Sequence, residues 1–340
     1  LHKAILAFLL VLSFSTITIP AGNWEVYFTD PGGTCSGCTT PEDALAGLLA
    51  DCRSSFYGAF YDISAMRIIT ALIEAHRRGV DVKLVTDDEN FSGPGITMLL
   101  DAGIAVVTDE SPSLMHNKFA VIDRETIFTG SYNTTDNCGH KNNNNAVMFR
   151  SVELAEIYLV EFEEMFEGRI FGNKRETGPF AELTREYYAD VNGIDVNVYF
   201  APENNVERII LNRIRKAKSS VYFMCFSFTS DDIGELIISR HKEGIKVAGI
   251  FEKKGINNDY SEFTKMKIEG VPVETDSNIH VMHHKVIIID GYRVITGSYN
   301  LSANANTKND ENIIIIDSRE IAALYMKEFA RLYKGKKIWE

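Results

Sequence analysis

Residues 115–123 read MHNKFAVID and residues 282–290 read MHHKVIIID; FTGSYN follows the first at 128–133 and ITGSYN the second at 295–300. Residues 116–145 align with 283–312 without a gap, at a constant offset of 283 − 116 = 167. Upstream the match is looser but keeps its order. VYFTDP begins at 26 and VYFAPE at 198, and HRRGVDVKLV begins at 76 and HKEGIKVAGI at 241. A repeat this long exceeds a solenoid unit, so each copy reads as a domain-sized half packed against the other.

Both halves run strand, helix, strand, helix, strand, hairpin and closing helix, an α/β pattern. In the second, Thr229-Ser230-Asp231 offers a helix cap, Ile233, Leu236 and Ile237 form one apolar face, and Gly244 stands at the stop. The first repeats this with Ile69, Leu72 and Ile73 ahead of Gly79. The β-rich runs 80–85 and 245–251, and the short apolar runs 119–122 and 286–289, suit strands covered on both faces. Closing helices are expected over 152–167 and 319–333. The halves then span 23–170 and 195–340, joined by 171–194 with its Gly172, Pro179 and Gly193.

Side chains two apart on a strand face the same way, so His116 points with Lys118 and His283 with Lys285. Ser131 with Asn133, and Ser298 with Asn300, add a hydroxyl and an amide suited to phosphate oxygens. Asp123 and Asp290 fall where the strands end, near the turns at Arg124-Glu125 and Gly291-Tyr292. There each is a candidate for catalysis and equally a candidate to fix the hairpin through backbone hydrogen bonds.

Two copies of His-x-Lys-x4-Asp, each followed seven residues later by Gly-Ser-x-Asn, resemble the phospholipase D superfamily over essentially the whole chain after residue 22. The resemblance implies two pseudo-twofold-related α-β-α halves, each a mixed β-sheet flanked by helices, that bring both motifs to one cleft. It also implies a covalent phosphohistidine, later resolved by water or an alcohol. The chemistry fits the residues: a phosphodiester repels nucleophiles, so its catalyst must neutralise the phosphoryl oxygens, attack in line and protonate the leaving oxygen. Two lysines and two histidines meet those needs without a metal or cofactor, because histidine serves as neutral nucleophile in one copy and as acid in the other.

The copies differ where it matters for that division of labour. Position 311 is Glu, and its repeat partner 144 is Asn. In relatives an acidic residue just past Gly-Ser-x-Asn orients the opposite histidine. Carried over, Glu311 would hold His116, which makes His116 the nucleophile and leaves His283, facing Asn144, as the general acid. His284 points to the other strand face, and Asn142 to Asn145 read as a polar loop.

The chain of 340 residues is 45% hydrophobic and 24% charged, with a net charge of −12, which excludes a general pull toward polyanions while allowing a local basic groove. No Walker or Rossmann glycine loop occurs. Lys3, the apolar run 4–12 and Pro20-Ala21-Gly22 read as a signal peptide over 1–22, with an uncleaved anchor at 4–19 as the alternative. A secreted, periplasmic or otherwise extracytoplasmic protein is therefore expected. Export makes disulfides among Cys35, Cys38, Cys52 and Cys138 an expectation, with three possible pairings; Cys225 reads as a buried thiol.

A phospholipid is the favoured substrate, reached through transient contact with a membrane surface, and an exported nuclease acting on DNA or RNA is the alternative. A binding module without catalysis would not be expected to keep both motifs intact. Phe91, Leu114, Met115 and Met282 are candidates to receive acyl chains or bases. With both motifs in one chain, a monomer suffices for a complete site.

Overall fold

The structure, a computed structural model, describes residues 22–33, 35, 37–172 and 187–335. The leader read over 1–22 lies outside them apart from Gly22, as do residues 173–186 of the connection.

The first half runs β1 (Trp24–Phe28), α1 (Pro41–Asp51), β2 (Ser55–Phe60), α2 (Met66–Arg77), β3 (Asp81–Thr86), α3 (Pro94–Asp101), β4 (Ala105–Thr108), β5 (Lys118–Ile122), β6 (Thr126–Gly130), α4 (Asp136–His140), β7 (Asn145–Arg150) and α5 (Val152–Phe166). The second runs β8 (Tyr188–Asp190), β9 (Asp195–Ala201), α6 (Val206–Arg215), β10 (Ser220–Cys225), α7 (Asp231–Lys242), β11 (Lys246–Phe251), α8 (Glu262–Ile268), β12 (Val273–Thr275), β13 (Lys285–Ile289), β14 (Arg293–Gly297), α9 (Ala303–Thr307), β15 (Glu311–Asp317) and α10 (Arg319–Leu332). They form a seven-stranded sheet, β1-β7-β6-β5-β2-β3-β4, and an eight-stranded sheet, β12-β11-β10-β13-β14-β15-β9-β8. Each is mixed: β2 and β3 pair parallel while β2 and β5 pair antiparallel, and β10 repeats this with β11 and β13.

Both faces of each sheet are covered, which is why β5 and β13 are continuous apolar runs. Helices α1, α2 and α3 cover the outer face of the first sheet, and α6, α7 and α8 that of the second. Between the sheets lies a shared core holding α5 and α10. The closing helices pack across the halves: Tyr158 of α5 meets Phe200 of β9 at 5.5 Å between ring centroids, and Tyr325 of α10 meets Phe28 of β1 at 5.2 Å. Burying rings of this size is worth about 1.5–3 kcal/mol each, so the interface behaves as one core and holds the two motifs in register.

Three features depart from the sequence reading. The pair α3 and β4 extends each sheet beyond the expected strands, with α8 and β12 as its counterpart. The polar stretch at 142–145 is not wholly loop: Asn145 opens β7, and Asn143, Asn144 and Asn145 are buried. Their amides are bonded inside the protein, so polarity there marks an interior network and not solvent. Finally, Cys35 and Cys38 form a disulfide while Cys52, Cys138 and Cys225 are buried thiols. The expected second pairing is absent among these residues. Cys52 Sγ instead bonds the Ser55 carbonyl at 3.3 Å, and Cys138 lies in α4.

Candidate active site

The motif strands β5 and β13 are central in their sheets, and the residues leading into them bridge the halves. His116 N–H donates to the Asp310 carbonyl and His283 N–H to the Asn143 carbonyl, each at 2.9 Å. Asp310 and Asn143 immediately precede the residues that hold the two imidazoles. His116 Nδ1 lies 2.8 Å from Glu311 Oε2, and His283 Nδ1 lies 2.9 Å from Asn144 Oδ1 and 3.1 Å from the Ser131 carbonyl. Each histidine is therefore held by the other half, through Nδ1. Lys118 Nζ donates to the His116 carbonyl at 2.7 Å and Lys285 Nζ to the His283 carbonyl at 3.0 Å.

Burial sets the electrostatics. The two histidines, two lysines and Glu311 are all buried. Desolvation, then the charges of Lys118 and Lys285, holds His116 well below its ordinary pKa; desolvation, Lys285, Lys118 and His116 do the same for His283. Lys118 is lowered to about 8 by burial. Burial and the neighbouring Lys118 lower Lys285 to about 7. Burial raises Glu311 to about 7, against the pull of Lys118. Both Ser298 Oγ–H, at 2.6 Å, and His116 donate to Glu311 Oε2, an arrangement suited to the carboxylate. With both lysines charged and Glu311 ionised, the centre carries one surplus positive charge, which a phosphodiester monoanion balances.

The residues expected to bind phosphate divide. Ser131 and Ser298 are committed to the scaffold: Ser131 Oγ donates to Asn144 Oδ1 at 3.0 Å and accepts from Asn145 N, and Ser298 Oγ bonds Glu311 and Asn312 in the same way. They position the partners of the histidines. Asn133 Oδ1 and Asn300 Oδ1 are buried and accept no hydrogen bond. The glycines before the serines are obligatory for space, since a Cβ on Gly130 or Gly297 would sit 2.3 Å from the carbonyl oxygen of Asn145 or Asn312.

Asp123 and Asp290 anchor the hairpins, the structural role that their place at the strand ends suggested beside catalysis. Asp123 accepts from the backbone N–H groups of Arg53, Ser54 and Ser55, and Asp290 from those of Lys218, Ser219 and Ser220. Both adopt positive φ at the turn, 52° and 53°, a conformation that Asp tolerates better than most residues. Among the proposed acyl contacts, Met115 and Met282 are fully buried in the core.

Sequence reasoning missed Tyr61 and Phe226, which follow β2 and β10. Tyr61 packs edge-on against His116 at 5.3 Å with Lys118 Nζ 5.5 Å from its ring, and Phe226 does so against His283 at 4.9 Å with Lys285 at 5.0 Å. Their equivalence was hidden because loop lengths shift their offset from 167 to 165. Two groups of potential metal ligands occur among the described residues, Glu42 with Asp136 and His140, and Asp87 with Asp88 and Asp109. Neither includes a motif residue. Asp87 Oδ2 accepts from Met115 N, so it braces the approach to His116.

A family model described as cardiolipin synthase, PLD-like domain, matches residues 45–166 and 210–333. The chain is similar to phospholipase D of Rickettsia conorii, 31% identical over 134 residues, which are 39% of this chain and 67% of that protein. It is similar to mitochondrial cardiolipin hydrolase of Homo sapiens, 34% identical over 142 residues, 40% of this chain and 56% of that protein. The crystal structure of phosphatidylserine synthase from Haemophilus influenzae superposes with a TM-score of 0.67 at 14% identity, covering 92% of this chain and 87% of that one, a likeness of fold.

Proposed function

The chain belongs to the phospholipase D-like family, with two copies of its domain and the phosphodiesterase chemistry of that superfamily, and from this premise we propose that it hydrolyses phospholipids through a phosphohistidine at His116. The observation that carries the reading is the pairing of the two histidines with chemically different partners, Glu311 and Asn144, in one buried centre beside two lysines.

In this mechanism Lys118 and Lys285 neutralise the phosphoryl oxygens, and the Nδ2 groups of Asn133 and Asn300 are assigned to donate to them. His116 Nε2 attacks phosphorus. Glu311 stabilises the positive charge that develops on the ring as the N–P bond forms and the P–O bond to the leaving alcohol breaks. His283 gives its Nε2 proton to that oxygen. Its neutral partner Asn144 fixes the ring without stabilising the imidazolium as a carboxylate would, which makes His283 the stronger acid. Water then attacks the phosphohistidine with His283 as base, and an alcohol in its place gives transfer. No step requires a metal, so activity in EDTA is expected.

Several observations favour lipid. The chain resembles proteins named phospholipase D and cardiolipin hydrolase. Its net charge of −12 lacks the general attraction that polyanion binding uses. Ile279, on the segment leading to His283, is 85% exposed, which suits transient contact with a lipid surface. Among the described residues no helix is long and apolar enough to cross a membrane. We assign residues 1–22 to export, in keeping with the Cys35–Cys38 disulfide; amino-terminal sequencing of the extracytoplasmic fraction tests this.

The deciding experiment is headgroup release from phosphatidylcholine and cardiolipin vesicles in EDTA, with single-stranded DNA as competitor and His116→Ala as the blank. Release that disappears in the variant and resists DNA supports the lipid reading. No release, with DNA degraded by the wild type only, replaces it with a nuclease on the same frame.

A further inference from the structure

His284 sits between His283 and Lys285 but faces away from the centre, and it is completely buried. Its two ring nitrogens have opposite partners. Nε2 lies 3.0 Å from Glu328 Oε1, an acceptor, and Nδ1 lies 3.0 Å from Asn145 Nδ2, a donor. Asn145 Oδ1 accepts from the Thr296 hydroxyl at 2.8 Å and from the Tyr325 hydroxyl at 3.0 Å, which leaves Nδ2 for His284. In this arrangement His284 turns hydrogen on Nε2 to Glu328 and a lone pair on Nδ1 to Asn145.

Asn145 continues toward the centre. Its backbone N–H and its Nδ2 both donate to Ser131 Oγ, at 3.1 and 3.3 Å. Ser131 therefore turns its own hydrogen to Asn144 Oδ1, while Asn144 Nδ2 donates to the Cys138 carbonyl at 3.1 Å. The oxygen of Asn144, and not its nitrogen, is left facing His283 Nδ1. That keeps hydrogen on His283 Nδ1 and directs Nε2 to the reacting oxygen.

The first copy supplies an internal comparison. Position 117, equivalent to 284, is Asn, and its Oδ1 accepts from Asn312 Nδ2 at 2.9 Å. Asn312 Oδ1 accepts from Thr129, and its backbone N–H donates to Ser298, which donates to Glu311. The same wiring thus ends on a carboxylate in one copy and on an amide in the other. Both begin at an acceptor in the middle position of His-x-Lys.

We infer that His284 is a positioning residue for the acid step: its Nδ1 lone pair sets the Asn145 and Ser131 hydrogen bonds that aim His283 at the leaving oxygen. The inference rests on the reading of His283 as general acid. An ill-placed acid should matter for an alkoxide leaving group and little for p-nitrophenolate, which leaves without a proton.

The test compares kcat/KM on soluble short-chain phosphatidylcholine and on a p-nitrophenyl phosphodiester. His284→Leu, which removes the acceptor, should lose about tenfold on the first and less than about twofold on the second, roughly the effect of one buried hydrogen bond. His284→Asn, the residue of the first copy, should restore the first activity. Equal losses on both substrates, or no recovery with Asn, would overturn the inference. Should the Leu variant fail to fold, Asn145→Asp exchanges the donor facing His284 for an acceptor and should show the same selectivity; equal losses there overturn it too. His283→Ala is the control on the acid role. If its own loss is the same on both substrates, that role falls, and the 15N shift of His283 Nδ1 then decides: unchanged in His284→Leu it overturns the positioning link, and altered it upholds it.

Discussion

Replacing Glu311 by Gln preserves the shape beside His116 and the acceptor for Ser298, and removes one negative charge from a fully buried place. When His116 attacks, positive charge develops on a ring whose Nδ1 is 2.8 Å from Glu311 Oε2. With charge centres about 4 Å apart and an effective dielectric constant of about 20, the lost interaction is about 4 kcal/mol. At 1.36 kcal/mol per tenfold, that corresponds to a fall of about three orders of magnitude in the attack rate. The assay is rapid-quench measurement of phosphoenzyme formation in a single turnover with a p-nitrophenyl phosphodiester, which makes attack visible without the acid step. The variant should also lose the acidic limb of the wild-type pH profile. Burial raises Glu311 to about 7, so wild-type attack should rise as pH climbs through that value and the carboxylate forms. An attack rate within about threefold of wild type, or an acidic limb unchanged in Glu311→Gln, would refute the orienting role.

The basic limb belongs to the lysines. Lys285, lowered to about 7, and Lys118, lowered to about 8, are charged below those values, so kcat/KM should fall and inhibition by inorganic phosphate should weaken as pH rises through them; a flat profile from about 6 to 9 would contradict this. Label from a 32P substrate should be trapped on His116, and its recovery on His283 would reverse the two roles. Asp123→Asn should reduce stability by about 1–3 kcal/mol in urea melts, through the loss of charge-assisted bonds to the backbone, and leave the kcat of folded protein within about twofold; a large kcat loss would return Asp123 to the site. Those bonds lower the Asp123 carboxyl to about 2, below an unfolded value of 3.8. Its contribution is therefore complete above about 4 and is lost as pH falls through about 2, so the wild-type advantage over Asn should vanish in that window.

Much of this protein was legible before any coordinates. A repeated His-x-Lys and Gly-Ser-x-Asn, at constant spacing over thirty residues, carries its own geometry: the motif is local, strand periodicity aims its side chains, and duplication implies a shared axis. The difference at Asn144 against Glu311 even foreshadowed which histidine each would hold. The tertiary structure decided what depends on contacts between distant segments. Ser131 and Ser298 look like phosphate ligands in sequence, and only the fold shows their hydroxyls committed to Asn144 and Glu311. Asp123 lies in the motif, yet its carboxylate is taken by N–H groups about 70 residues earlier in the chain. In sequence His284 points only to the far face of its strand and the asparagines at 143–145 read as a polar loop; burial makes them a hydrogen-bonded frame, because a polar group removed from water must find its partner inside. Periodicity assigns a side chain to a face of its strand. What that face meets is set by the other half of the protein.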